Sequence, residues 1–229
     1  MHEAAFFDVD GTLLEGNVIR YYAFLRCREM GPIRRAVWTM GLLARVPFYL
    51  IVDRISRGKL LTQFYRNYKG VTSQQLRDGA QALFSEELRQ KIYPDALSCV
   101  EKHRAAGRYI VLVSGSIREI VTPVAKHVGA DHLLCVDLEE KNGEFTGGLR
   151  GQVLTGSGKA KALVSYAKRH RVHLASSHAY ADSLDDFSML SSVGNPVVVN
   201  PDGRLKRIAL SKGCKVKRWT FSDLKNESD

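Results

Sequence analysis

The sequence predicts an α/β fold: a Rossmann-like parallel sheet with helices on both faces, plus a helical cap inserted after the first strand. Three observations predict it. Short apolar runs alternate with helical stretches of about a dozen residues, as in repeated strand–helix–strand units. The first three apolar runs stop at Asp or Ser, which places polar chemistry at strand ends. Residues 15–90 break the alternation with a helical, aromatic and basic pattern.

Taken in order, Ala4–Val9 is a buried strand halted by Asp10-Gly11-Thr12. Residues 15–90 then form the cap, and residues 1–14 with 91–229 form the core. Asp95–Ala106 reads as a helix, with Pro94 at its start and Gly107 just past its end. Tyr109–Val113 is a second strand, stopped by Ser114-Gly115-Ser116, and Ile117–Val128 is the helix after it. Leu133–Leu138 and Gly143–Leu149, joined through Lys141-Asn142-Gly143, predict a hairpin with an Asn-Gly turn. Lys159–His170 is helical, Ala175–Ala181 a third buried strand and Pro196–Asn200 a fourth.

The chain has 229 residues, 45% hydrophobic and 25% charged, which excludes a disordered or fibrous protein. Its four cysteines are widely spaced and form no CxxC pair, which argues against zinc and a disulfide scaffold. With no basic leader ahead of Ala4, the expected location is cytoplasmic, or peripheral to a membrane. The net charge of +10 is unevenly placed: residues 17–70 hold eleven Lys or Arg against Glu29 and Asp53. Nine of the 20 aromatic residues fall in residues 21–68, among them Trp38, Phe48, Tyr49, Phe64, Tyr65 and Tyr68. Within the cap, Ala36–Val52 is 17 residues long and mostly apolar, yet contains Arg45 and Pro47. Helices packed inside the cap, an interfacial membrane helix and a true span all remain open at this level.

The strand ends carry the chemistry. Asp8 and Asp10 lie at the C-terminal end of the first strand, so one carboxylate can act as nucleophile while its neighbour handles the leaving-group proton. Ser114 and the Gly115 amide suit phosphate oxygens. Lys159 brings an ammonium to a helix start, and Asp182, Asp185 and Asp186 close the third apolar run.

These segments, Phe6–Leu14, Val113–Ser116, Gly158-Lys159 and Tyr180–Leu190, resemble the four motifs of the haloacid dehalogenase superfamily. The insert after the first motif, the hairpin segment Asn142–Gly147 and Asn200–Leu205 resemble its phosphoserine-phosphatase-like branch, subfamily IB. The resemblance implies a phosphomonoester hydrolase in which Asp8 forms an aspartyl phosphate and Asp10 protonates the leaving alcohol, then activates water. It implies Mg²⁺ held by Asp8, Asp182 and the backbone carbonyl of Asp10. Ser114, Gly115 and Lys159 would bind the phosphate, with Asp186 orienting the metal's surroundings.

Two positions depart from the family pattern. Asp185 stands where many relatives have Asn. Asn17 stands where phosphoserine phosphatases have the Glu that reads the substrate ammonium, with Glu15 the nearest acid able to take over. Thr12 reads as a turn residue and His178 as a packed one. Gly156-Ser157-Gly158-Lys159 is not a P-loop, because Val153 replaces its first Gly and Ala160 its hydroxyl. The basic tail from Arg204 to Arg218 reads as a solvated face. The expected substrate is a lipid-linked or membrane-surface phosphate, on account of the basic, aromatic cap, with contact to an anionic membrane. A small phosphorylated metabolite is the alternative. A nucleic-acid-binding role would leave the four-motif set unexplained, so no nucleic-acid partner is expected.

Overall fold

The computed structural model describes residues 2–28 and 30–221, and of residues 45–57 the backbone alone. The strands in chain order are β1 (Ala4–Asp8), β2 (Tyr109–Ile117), β3 (His132–Val136), β4 (Leu138–Lys141), β5 (Glu144–Leu149), β6 (His178–Ala181), β7 (Asn195–Val199) and β8 (Lys215–Lys217). The helices are α1 (Val18–Cys27), α2 (Pro32–Tyr65), α3 (Ser73–Leu83), α4 (Pro94–Ala105), α5 (Arg118–Val128), α6 (Ser157–His170), α7 (Phe187–Leu190) and α8 (Gly203–Ser211).

Six strands form one parallel sheet in the order β3-β2-β1-β6-β7-β8. A sheet covered on both faces needs apolar residues pointing both ways, and β1 is buried at all five positions. Ala5 and Phe7 face one hydrophobic cluster, with Ile110 and Leu112 of β2 and Val121 and Val124 of α5. Ala4 and Phe6 face the other, with Leu163 and Tyr166 of α6 and Leu205 of α8. The first cluster also takes in Tyr21, Tyr22, Leu61, Phe64 and Tyr65, so α1 and α2 share their core with one sheet face. The chain leaves and returns side by side: Tyr93 N–H donates to the Leu13 carbonyl and Glu15 N–H to that of Lys91.

The structure departs from the sequence reading in five places. His132–Val136 is an edge strand paired with β2, and the hairpin is β4–β5, whose turn Asn142-Gly143 has φ of +53° and +82°. β2 does not stop at Val113. It runs to Ile117 with a register shift between Val113 and Ile117. The third buried strand begins only at His178, because residues 174–176 form a 3₁₀ turn. The basic tail is regular structure: α8 carries Leu205 and Ala209 inward, and β8 closes the sheet edge while its lysines stay exposed. The cap aromatics are core, since Tyr22, Phe64, Tyr65 and Tyr68 are buried and meet one another or Trp38 edge-on or tilted.

Ala36–Val52 lies wholly within the 34-residue α2, while the side chains of Arg45, Pro47, Phe48 and Tyr49 fall outside the described residues. Among the described residues no helix is long and apolar enough to cross a membrane.

Under β1, His103 of α4 places Nε2 2.7 Å from the Tyr180 hydroxyl, its ring 4.6 Å from that of His178. Burial, then the neighbouring His178 and Arg108, push His103 down from 6.5 to about 4. The unfolded chain takes up this proton near pH 6.5 and the folded one only near pH 4. Between those values the unfolded state binds the extra proton, so stability falls as pH drops. Thermal melts from pH 7 down to about 4 should show the midpoint falling, and His103→Gln should flatten that decline while keeping a partner for Tyr180. An unchanged slope in the variant would assign the proton uptake elsewhere.

Candidate active site

Asp8 is the last residue of β1, between β2 and β6, so its carboxyl group emerges at the centre of the sheet's C-terminal edge. The chain must then turn at once. Gly11 does this at φ +89°, and a Cβ there would stand 2.2 Å from Asp182 Oδ2. Asp182 follows β6 directly, so two neighbouring strands deliver two acids to one spot.

Lys159 enters from the first turn of α6 and donates to Asp8 Oδ1 at 2.6 Å, with Asp186 Oδ1 2.8 Å away. All three side chains are nearly inaccessible to solvent. Burial opposes the charge on Lys159, but Asp8 and Asp186 together hold its ammonium above the usual range. Burial, opposed by Lys159 and reinforced by Asp186 and Asp182, holds Asp8 well above the ordinary carboxylate range. Burial also raises Asp182, against a hydrogen bond from Thr12.

The carboxylates of Asp8, Asp182 and Asp186 present oxygens all within 4.8 Å of one another. Three acids thus share one ammonium in a buried space, an excess of negative charge that a small divalent cation with a taste for oxygen would balance. The acids present therefore fit Mg²⁺.

Asp10 is held differently. Its Oδ1 accepts from the Tyr21 hydroxyl at 2.5 Å, and its Oδ2 from Ser116 at 2.7 Å and Ser114 at 3.2 Å. Ser114 is fully buried with its hydroxyl turned to Asp10, while Gly115 is the residue of that segment that lines the cavity. Asp185 Oδ2 accepts the Gly156 N–H at 3.0 Å, so this acid pins the loop ahead of α6.

The cavity above these groups holds about 530 Å³. Its floor is Asp8, Asp10, Lys159, Asp182 and Asp186, and its outer wall is Val18, Ile19, Leu60, Leu61, Phe64 and Leu154. Asn17 lines it, although its side chain also caps α1 by accepting the Arg20 N–H at 2.9 Å. Glu15, the nearest acid to the position of an ammonium-reading Glu, is exposed and is not part of the lining.

Four residues of this arrangement were not assigned to the site from sequence. Thr12, read as a turn residue, lies 3.1 Å from Asp182 Oδ1 and 3.4 Å from Asp8 Oδ2, with one proton to give. Ser116 holds Asp10 more closely than Ser114 does. Tyr65 donates to the Gly115 carbonyl at 2.6 Å, and Tyr21 donates to Asp10. Ser116 is visible as the end of Ser-Gly-Ser, but the two tyrosines carry no local signal because α1 and α2 bring them in.

A model of the haloacid dehalogenase-like hydrolase family matches residues 5–191. The chain belongs to that family. Over 225 residues it is 30% identical to the Mycobacterium tuberculosis protein named phosphoserine phosphatase SerB1, spanning 96% of this chain and 71% of that protein. Its fold is similar to that of a Bordetella pertussis Tohama I protein of unknown function, at TM-score 0.80 and 24% identity, over 94% of this chain and 97% of that one. It is also similar to a substrate-bound phosphoserine phosphatase, at TM-score 0.67 and 19% identity, over 94% and 99%. The chain is an enzyme, a phosphatase of the haloacid dehalogenase type.

Gly11→Ala tests the tightest contact in the site. A methyl group there meets the Asp182 carboxylate and a backbone angle that side chains avoid, so Asp182 must move. Hydrolysis of an aryl phosphate should fall at least ~10-fold and need more Mg²⁺ at half-saturation, while the circular dichroism spectrum stays the same. Wild-type kinetics would show that Asp182 can shift without consequence.

Proposed function

We propose that this phosphatase hydrolyses a phosphate monoester in two steps at Asp8. The observation that carries the proposal is Lys159 at 2.6 Å from Asp8 in a buried site with a second carboxylate two residues on. One Asp8 oxygen attacks phosphorus, and the bond from phosphorus to the ester oxygen breaks. Asp10 gives its proton to the departing alcohol. Water then attacks the phosphoryl group on Asp8, Asp10 takes the proton back, and inorganic phosphate leaves. Lys159 and the Gly115 segment face the phosphoryl oxygens, where charge spreads in the transition state, and Ser114 can turn its hydroxyl from Asp10 to join them. Asp8, Asp182 and Asp186 would hold Mg²⁺, with the Asp10 carbonyl as the further ligand implied by the family. When bound, the ion neutralises charge on the phosphoryl group and its acids.

The leaving group faces Val18, Ile19, Leu60, Leu61 and Phe64, which favours an apolar alcohol, as in a lipid-linked phosphate. The second reading is phosphoserine, on which the related M. tuberculosis protein's name rests. Against it stands Asn17, with no carboxylate among the described residues of the outer wall to meet an ammonium group.

Asp8→Asn should lower turnover of a generic aryl phosphate by at least about a thousandfold, since the uncatalysed reaction is so slow. EDTA should abolish wild-type activity and Mg²⁺ restore it. Asp182→Ala should raise the Mg²⁺ requirement far more than Asp185→Ala, whose carboxylate holds a loop. A variant Asp8→Asn above roughly a tenth of wild-type rate, or equal effects at the two acids, would refute these roles.

The leaving group is tested with a homologous series. From ethyl to octyl phosphate, kcat/KM should climb at least about tenfold, since each buried methylene is worth about 0.8 kcal/mol before the wall is full. Leu60→Gln should flatten the climb, and phosphoserine should be a poor substrate. Phosphoserine turned over faster than octyl phosphate would hand the function to the second reading.

A further inference from the structure

We infer that the outward face of α2, over residues 33–43, docks on the surface of an anionic lipid bilayer. Among the described residues the four most exposed large aliphatic side chains are Ile33 at 81%, Met40 at 71%, Val37 at 67% and Leu43 at 62%. Their spacing of four, three and three residues puts them on one side of one helix. Trp38, on the other side, packs toward the core against Tyr22, with ring centroids 5.9 Å apart. Arg35 ties the same end of α2 to the Cys27 carbonyl at the end of α1. This part of the helix is therefore anchored by one side while it presents an exposed apolar stripe with the opposite one. Single exposed aliphatics are ordinary, whereas four on one helical stripe mark a surface that is covered in use.

The charge around the stripe selects the cover. Arg34 is exposed beside it, and residues 17–70 as a whole carry eleven Lys or Arg against Glu29 and Asp53. A second copy of the chain would bring this basic segment against itself, and like charge opposes that pairing. An anionic bilayer offers both parts of the complement: acyl chains for the stripe and headgroup charge for the arginines. A helix of this kind lies in the interface, consistent with no described helix being able to cross a membrane. The face is separate from the catalytic cavity, which Ile33, Val37, Met40 and Leu43 do not line, so docking stands independently of the proposed reaction.

Co-sedimentation of the full chain with vesicles tests this without any turnover measurement. The protein should bind vesicles of phosphatidylcholine mixed with phosphatidylglycerol, bind those of phosphatidylcholine alone far less, and release as salt rises. Arg34→Gln should weaken binding about fivefold, the worth of one arginine beside an anionic surface. The triple variant Val37→Ser, Met40→Ser, Leu43→Ser should weaken it at least ~10-fold while hydrolysing a small aryl phosphate at the wild-type rate. Indifference to anionic vesicles at low salt would overturn the inference, as would wild-type binding by the triple variant. So would a wild-type dimer in sedimentation velocity that the triple variant turns into monomers, because a second copy would then be the cover. A triple variant that binds no vesicles but keeps its hydrolysis supports docking, whatever the enzyme's natural ester proves to be.

Discussion

Lys159 donates into Asp8 across a sequence separation of 151 residues, and both side chains are almost wholly out of solvent. Burying such charges costs several kcal/mol each unless their partners are set with accuracy, so the surrounding backbone has little freedom. Asp8 must end the central strand for the ammonium to reach it. The loop ahead of α6 must fold tightly, and it does so through glycine. A Cβ at Gly158 would lie 2.8 Å from the Val153 carbonyl, and Gly156 sits at φ +50° with its N–H given to Asp185. The Gly-Ser-Gly-Lys run is thus a tight bend that delivers a lysine, which explains why it resembles a phosphate loop in composition without having its spacing.

The same pair leaves a charge imbalance. One ammonium faces Asp8, Asp182 and Asp186, and burial raises Asp8 and Asp182 for want of further positive charge. Thr12 cannot repair this, since it has a single proton within reach of two carboxylates. Asp10 escapes the crowding because three hydroxyls take its oxygens: those of Tyr21, Ser114 and Ser116. Two acids only two residues apart therefore occupy different chemical settings, one crowded by charge and one by neutral donors.

Much of this was legible in the chain. Asp8, Asp10, Lys159, Asp182 and Asp186 stand at strand ends or helix starts, and local pattern finds such places because apolar runs and glycines mark them. The family resemblance carried the same residues. The parallel core was legible for the same reason, whereas β3 and β8 were not. His132–Val136 is edge-strand sequence beside a hairpin, and only pairing with β2 decides which it joins. Lys215–Lys217 is charged, and it becomes a strand because β7 offers an open edge. Tyr21 and Tyr65 were read as cap composition. Their hydroxyls reach Asp10 and the Gly115 carbonyl because α1 and α2 fold back over the motif loops, a tertiary fact with no local signature.

Those two tyrosines also divide labour within the molecule. α1 and α2 each send one phenol to the motif loops, Tyr21 to Asp10 and Tyr65 to the Gly115 carbonyl, while their aliphatic residues wall the cavity. The acids and the ammonium on the cavity floor come from strand ends, the start of α6 and, for Asp186, the start of α7, so the floor is built by the sheet and the helices that follow it. The outer end is built by the inserted helices, where Asn17, Val18, Ile19, Leu60, Leu61 and Phe64 supply no charge. A chain can therefore change its ester by altering the insert alone, leaving Asp8 and Lys159 undisturbed. Asn17 sits on that insert: it lines the cavity and its side chain caps α1, while Glu15 stays in solvent. Among its described residues that wall carries no counter-charge for an ammonium group, and its face from α1 and α2 is aliphatic or aromatic at five positions.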